Sequence, residues 1–110
     1  MNPASASTEP LYSCLGADPD LGEIVDLFVN EMPGRIAALE DLLANSDWEG
    51  LRRAAHQLKG SAGSYGFDPI SPCAAVLEEA VRNGQPEQQV HRCTADLVDM
   101  CRRARGGAPQ

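Results

Sequence analysis

Aromatic residues, basic charge and long apolar runs are all scarce in this sequence, and each shortage excludes a class of protein. Aromatics make up 5% of the residues and hydrophobic residues 43%, which favours packed helices over a ring-filled core. The net charge of -7 argues against nucleic acid as the main partner, because phosphate backbones are bound by basic faces. No run approaches the roughly 20 apolar residues that cross a bilayer, and the first ten residues lack the features of a secretory signal. We therefore expect one cytoplasmic domain.

The cysteines form no C-x-x-C pair, so they give no metal or disulfide signature. They are scattered along the chain as Cys14, Cys73, Cys93 and Cys101. In a reducing compartment we expect all four to be reduced and buried as small hydrophobic residues. A metal-binding bundle that uses His56, His91 and cysteines is disfavoured, because zinc ligands cluster with short characteristic gaps. We expect no metal and no cofactor.

Apolar residues recur in steps of three and four through residues 21–43, which predicts an amphipathic helix. Pro33 and Gly34 interrupt this stripe without changing its phase. We therefore expect one long helix that is kinked or briefly broken there.

Three more helices are predicted after it. Ser46 or Asp47 suits the cap of a helix whose apolar stripe runs from Trp48 to Tyr65. The following two helices are expected to begin at Ser71–Pro72 and at Pro86, and Asn83–Gly84 ends the first of them.

No stretch shows the period of two that strands require. Short connections between four helices predict an all-α, antiparallel four-helix bundle over residues 11–105, with a short extra N-terminal helix or none. Residues 1–10 are expected to be a flexible leader and residues 106–110 a flexible tail.

The stretch "AAHQLKGSAGSYG", residues 54–66, contains one histidine and three glycines in a helical context. At about 100° per residue, one helix face carries Arg52, His56, Lys59, Gly60 and Gly63. Each glycine costs a helix roughly 0.5–1 kcal/mol relative to alanine, so a face without side chains requires a reason. Close approach of a large partner to the imidazole is such a reason. An imidazole beside an ammonium group suits a phosphoryl anion, although a lone helical histidine is more often a surface residue without a task.

The segment "HQLKGSAGSYG" closely resembles the signature of histidine phosphotransfer (HPt) domains, H-x-L-K-G-S-A followed by a glycine. The flanking segments "LFVNEMPGRIAALEDLLA" and "LEEAVRNG" also look like this family, so the resemblance covers roughly residues 20–104. The matching positions are His56, Leu58, Lys59, Gly60, Ser61, Ala62 and Gly66.

The resemblance implies a four-helix bundle that relays phosphoryl groups between receiver domains of two-component systems. It makes His56 the phosphoacceptor, attacking through Nε2, and Lys59 the side chain that stabilises charge on the phosphoryl oxygens. Gly60 and Gly63 would provide clearance, and Arg52 positive potential. The implied partners are response-regulator receivers and a hybrid sensor kinase, with the aspartate and Mg²⁺ on the partner. The chain would be a monomeric phosphocarrier without kinase activity.

One position departs from the family pattern. Members often have a glutamine 22 positions after the histidine, where this chain has Glu78, with Arg82 one turn later. A carboxylate there would fix the tautomer of the imidazole but disfavour a phosphoryl anion nearby. The alternative is a solvated Glu78–Arg82 ion pair without a role in transfer.

A different function remains open at this point. The chain could be a non-catalytic adaptor that docks receiver-like domains through an apolar patch around Phe67 and Ile70. An adaptor, however, has no need of the His56–Lys59 pair.

Overall fold

The computed structural model describes residues 9–107. Its elements are β1 (Leu11–Tyr12), α1 (Gly22–Asn30), α2 (Met32–Ala44), α3 (Trp48–Ser64), α4 (Ile70–Arg82), α5 (Glu87–Arg103) and β2 (Ala104–Arg105). The predicted helical bundle is confirmed, with α1 and α2 together forming its first, bent helix. The leader and tail expected at residues 1–10 and 106–110 lie largely outside the described residues. None of the helices within residues 9–107 is long and apolar enough to cross a membrane.

The bend in the first helix lies at Glu31, before the predicted interruption at Pro33 and Gly34. The backbone N–H of Glu31 donates to the carbonyl oxygens of Leu27 and Phe28, both at 3.1 Å, so the chain stays helical through the bend. Pro33 lies in the first turn of α2, where a missing N–H leaves no helical hydrogen bond unmade.

The predicted helix ends are right at three positions and wrong at one. Pro86 directly precedes α5, as expected. Asp47 caps α3, and its carboxylate accepts a backbone N–H of the first turn at 3.0 Å. Gly84, with φ +67°, ends α4 as expected. Ser71 does not cap α4, which already begins at Ile70. Its hydroxyl instead donates to the carbonyl oxygen of Lys59 at 2.9 Å and so ties α4 to α3.

The predicted apolar stripes form the core, and α3 is its central helix. Its buried residues are Leu51, Ala55, Leu58 and Ala62. Cys93 and Cys101 are buried as expected, but Cys73 is half-buried and Cys14 exposed, so the expectation was wrong for these two. Burial raises the pKa of Cys73 to about 11. The thiol is therefore a poor nucleophile at neutral pH.

The described residues before α1 contain a short strand and turns where an extra helix was one alternative. β1 pairs in parallel with β2, so the segment before α1 lies beside the segment that follows α5. The Ser13 hydroxyl donates to the Tyr65 carbonyl oxygen, and the Cys14 N–H donates to the Gly66 carbonyl oxygen at 3.1 Å. These bonds hold the C-terminal end of α3, where Gly66 has φ +81°.

Candidate functional site

His56 lies at the middle of α3, on the face opposite the buried stripe. Its side chain is 60% exposed. The exposure follows from the sequence, because Ala55 and Leu58 turn inward to the core and leave position 56 on the outside of the helix. A large partner can therefore reach the imidazole.

On the α4 side of the histidine, the carboxylate of Glu78 binds three side chains. Glu78 Oε2 lies 2.8 Å from His56 Nδ1 and 2.7 Å from an Arg82 nitrogen, and Glu78 Oε1 lies 2.9 Å from Lys59 Nζ. The Glu78 side chain is only 1% exposed, whereas its three partners reach solvent. We call these four residues the charged cluster.

The charged cluster keeps Glu78 ionised despite its burial. The hydrogen bond from Lys59 lowers the pKa of Glu78 to about 2, with the bond from His56 acting in the same direction and burial acting against both. An ionised carboxylate has no proton to donate. The hydrogen of the His56–Glu78 bond therefore belongs to Nδ1, and the neutral ring has its lone pair on Nε2.

Glu78 and Arg82 do form the predicted i,i+4 ion pair, but the expectation that the carboxylate is solvated is wrong. The reason is packing, since Glu78 faces α3 and lies beneath Lys59. Arg52 is held elsewhere: its guanidinium binds Glu49 through two bonds of 2.6 and 3.1 Å. It contacts neither His56 nor Glu78 directly and supplies only longer-range positive potential.

The two glycines expected to provide clearance have different surroundings. A Cβ at Gly60 would meet no atom within 4 Å, so the surface there is open. A Cβ at Gly63 would lie 3.6 Å from the Ser71 hydroxyl, so Gly63 faces the start of α4 rather than open solvent. Only Gly60 leaves free space beside the histidine.

A cavity of about 480 Å³ opens on the α2 side of the histidine. We call it the Arg35 pocket, and it is lined by Arg35, His56, Gln57, Gly60, Ser61, Ser64 and Tyr65. The sequence analysis missed Arg35. The one feature of the sequence that could have identified it is the number of residues between Arg35 and the short α2–α3 connection. Counted back from that connection, Arg35 falls at the level of His56 on the neighbouring antiparallel helix.

The other candidate sites are not supported by the structure. Phe67 and Ile70 are fully buried, so they form no docking patch for an adaptor. His91 is exposed on α5, away from the charged cluster. Within residues 9–107, no three side chains of the metal-ligating types are grouped to hold an ion.

Comparison with known proteins identifies one family and two similar proteins. The sequence profile of the Hpt domain matches residues 23–107. The phosphorelay protein LuxU of Vibrio harveyi is 28% identical over 81 residues, covering 74% of this chain and 70% of LuxU. The chemotaxis protein CheA of Rhizobium meliloti (strain 1021) is 33% identical over 105 residues, covering 80% of this chain but only 14% of CheA. No solved structure gives a significant match.

Proposed function

The chain belongs to the Hpt domain family, and on that premise we propose that His56 is the residue that accepts and passes on the phosphoryl group. The family gives the chain a histidine phosphotransfer role in two-component signalling. The observation that supports His56 is its exposed ring, whose Nδ1 is bound to a buried, ionised carboxylate. No other histidine of the chain lies in such a setting, since His91 is the only other one.

The transfer step needs no proton to leave the site. The lone pair of His56 Nε2 attacks the phosphorus of an aspartyl phosphate in line, forming a P–N bond as the P–O bond to the aspartate breaks. The aspartate leaves as a carboxylate, and the ring becomes a phosphorylated imidazolium that keeps its Nδ1 proton. Glu78 lies 2.8 Å from that nitrogen and stabilises the new positive charge. The same step in reverse passes the phosphoryl group to another receiver.

Lys59 supplies the positive charge for the phosphoryl oxygens. It lies one turn from His56, its side chain is 38% exposed, and its ammonium group binds Glu78 Oε1 in the unphosphorylated protein. A flexible four-carbon stem lets the ammonium turn toward the phosphoryl group. Arg82 and the imidazolium remain on Glu78 Oε2, so the carboxylate keeps partners during this movement.

The partner completes the active site. We propose that a receiver domain supplies both the aspartate and the Mg²⁺, and that this chain holds no cofactor of its own. Receivers and a hybrid sensor kinase are the expected partners, in the cytoplasm. A monomer that meets them through a small, transient interface suits a relay, because each partner must leave before the next one binds.

The experiment is label transfer from a phosphorylated receiver domain. Wild-type protein is expected to gain an acid-labile, base-stable label, which identifies a phosphohistidine, and His56→Gln to gain none. His91→Gln is the matched control, because it removes the other histidine, on α5. Labelling of His56→Gln at the wild-type level would refute the proposal.

A further inference from the structure

Arg35 borders the histidine on the side that the charged cluster leaves open. The connection between α2 and α3 spans residues 45–47, so the two helices run antiparallel and Arg35 lies close to the level of His56. Both side chains line the Arg35 pocket. The guanidinium is also held in place, with one nitrogen 3.2 Å from Glu31 Oε1 and its central carbon 5.4 Å from the centre of the Phe28 ring.

The guanidinium of Arg35 has unused hydrogen-bonding capacity. A guanidinium has five N–H donors, and Glu31 binds one of its terminal nitrogens. Arg35 Nε is buried, and within residues 9–107 it is the one buried side-chain nitrogen or oxygen atom without a hydrogen-bond partner. Buried polar groups almost always have partners. The side chain is nevertheless 29% exposed, so the outer edge of this incompletely bonded guanidinium can bind an acceptor that a partner supplies.

The orientation of the imidazole indicates where that acceptor comes from. Nδ1 faces Glu78 on α4, and Nε2, on another edge of the ring, points away from it. A receiver can approach the ring over Gly60, the open position that also lines the Arg35 pocket. Such a receiver is acidic at its active site, because a phosphorylatable aspartate and the ligands of Mg²⁺ are carboxylates. Lys59 and Arg82 lie on the α4 side with Glu78, whereas Arg35 lines the pocket that includes Gly60.

We propose that Arg35 is a specificity-determining residue of the transfer reaction, which donates paired hydrogen bonds to a carboxylate of the docked receiver. The inference rests on the proposed function and adds to it a contact between α2 and the receiver. Planar, two-point binding of a carboxylate is the geometry that a guanidinium provides and an ammonium does not.

The test measures kcat/KM for transfer from a receiver domain that phosphorylates the wild-type protein, over a range of NaCl concentrations. Arg35→Gln is expected to lower kcat/KM about 10- to 100-fold, mainly through KM, and to flatten its salt dependence. Arg102→Gln is the matched control: Arg102 also binds one glutamate at 3.2 Å, but on α5 and outside the Arg35 pocket. It is expected to leave kcat/KM within about twofold.

Two results would overturn the inference while leaving the proposed function intact. One is a wild-type kcat/KM and salt dependence in Arg35→Gln. The other is a changed hydrolysis rate of phosphorylated His56 in the absence of any receiver, which would place Arg35 on the phosphoryl group. If Arg35→Gln does not fold, Arg35→Lys retains the charge and a long stem over Phe28. That variant is expected to lose about three- to tenfold in kcat/KM, and full activity would contradict paired hydrogen bonding.

Discussion

The two sides of His56 are built in opposite ways. On the α4 side, a buried carboxylate binds the ring and two cations at 2.7–2.9 Å, and the Ser71 hydroxyl ties the helices together. On the α2 side, the Arg35 pocket is open, Gly60 has no neighbour, and a guanidinium has an unused donor. The contrast shows how one exposed side chain can be fixed in orientation and still be accessible. The protein satisfies the α4 side itself, and in our proposal a receiver completes the α2 side.

The strongest way to break this contrast is to fill the open side. Gly60→Leu places a side chain where no atom lies within 4 Å, so the fold is expected to stay intact. Transfer from a phosphorylated receiver is expected to fall about 100-fold, because small displacements of the reacting atoms cost this much. The rate of label transfer and a urea unfolding curve check both parts. Gly34→Leu is the control, since Gly34 on α2 also has open space around its Cβ. A wild-type rate in Gly60→Leu would show that the partner does not approach there.

The closed side can be tested through stability. Glu78→Gln is expected to lower the free energy of unfolding at pH 7 by about 1.5–3 kcal/mol, the range for hydrogen bonds to charged groups. The pKa of Glu78 falls from 4.5 to about 2 in the folded protein. Its contribution is therefore complete above pH 4.5 and is lost as the pH falls toward 2. Denaturant unfolding from pH 7 to pH 2 should show the two stabilities converging. Glu79→Gln, at the exposed neighbouring position, controls for the charge, and a gap that stays constant with pH would contradict the prediction.

The same substitution tests whether the α4 side acts in the transfer step and not in docking. Glu78→Gln is expected to slow transfer about tenfold at saturating receiver, because a neutral amide stabilises the phosphoimidazolium less. Its KM is expected to stay unchanged, since the Glu78 side chain is only 1% exposed and offers a docked receiver no surface to bind. Steady-state transfer kinetics separate the two constants. A raised KM with an unchanged rate would mean that Glu78 acts in docking and that the two sides are not distinct.

The smallest effect concerns helix stability alone. Gly60→Ala is expected to raise the free energy of unfolding by about 0.5–1 kcal/mol, because alanine is the better helix former and its methyl group meets no atom. Gly66→Ala should have the opposite sign, because Gly66 has φ +81° and lies against the Ser13 side chain. Thermal or urea unfolding measures both. If Gly60→Ala were destabilised, the surface around Gly60 would not be open.

Much of the site could be predicted from local sequence, and the part that could not depends on contacts between helices. The face that bears His56, Lys59 and Gly60 follows from helical periodicity around the buried stripe of α3. The prediction about Gly63 was incomplete, because its neighbour Ser71 belongs to another helix. Glu78 was identified, but its burial was not, since the depth of a carboxylate depends on what packs over it. Arg35 was missed because it lies more than 20 residues before His56 and has no motif of its own.

By itself, the sequence determined the class of fold and the residue that faces outward as the phosphoacceptor candidate, because helical periods and a seven-position signature are local properties of the chain. The tertiary structure decided how that residue is prepared. It placed Glu78 beneath Lys59 and against Nδ1, which leaves the lone pair on Nε2, and it placed Arg35 beside the open surface. The physical reason is that the ionisation of a carboxylate and the tautomer of an imidazole depend on burial and on neighbours from other helices.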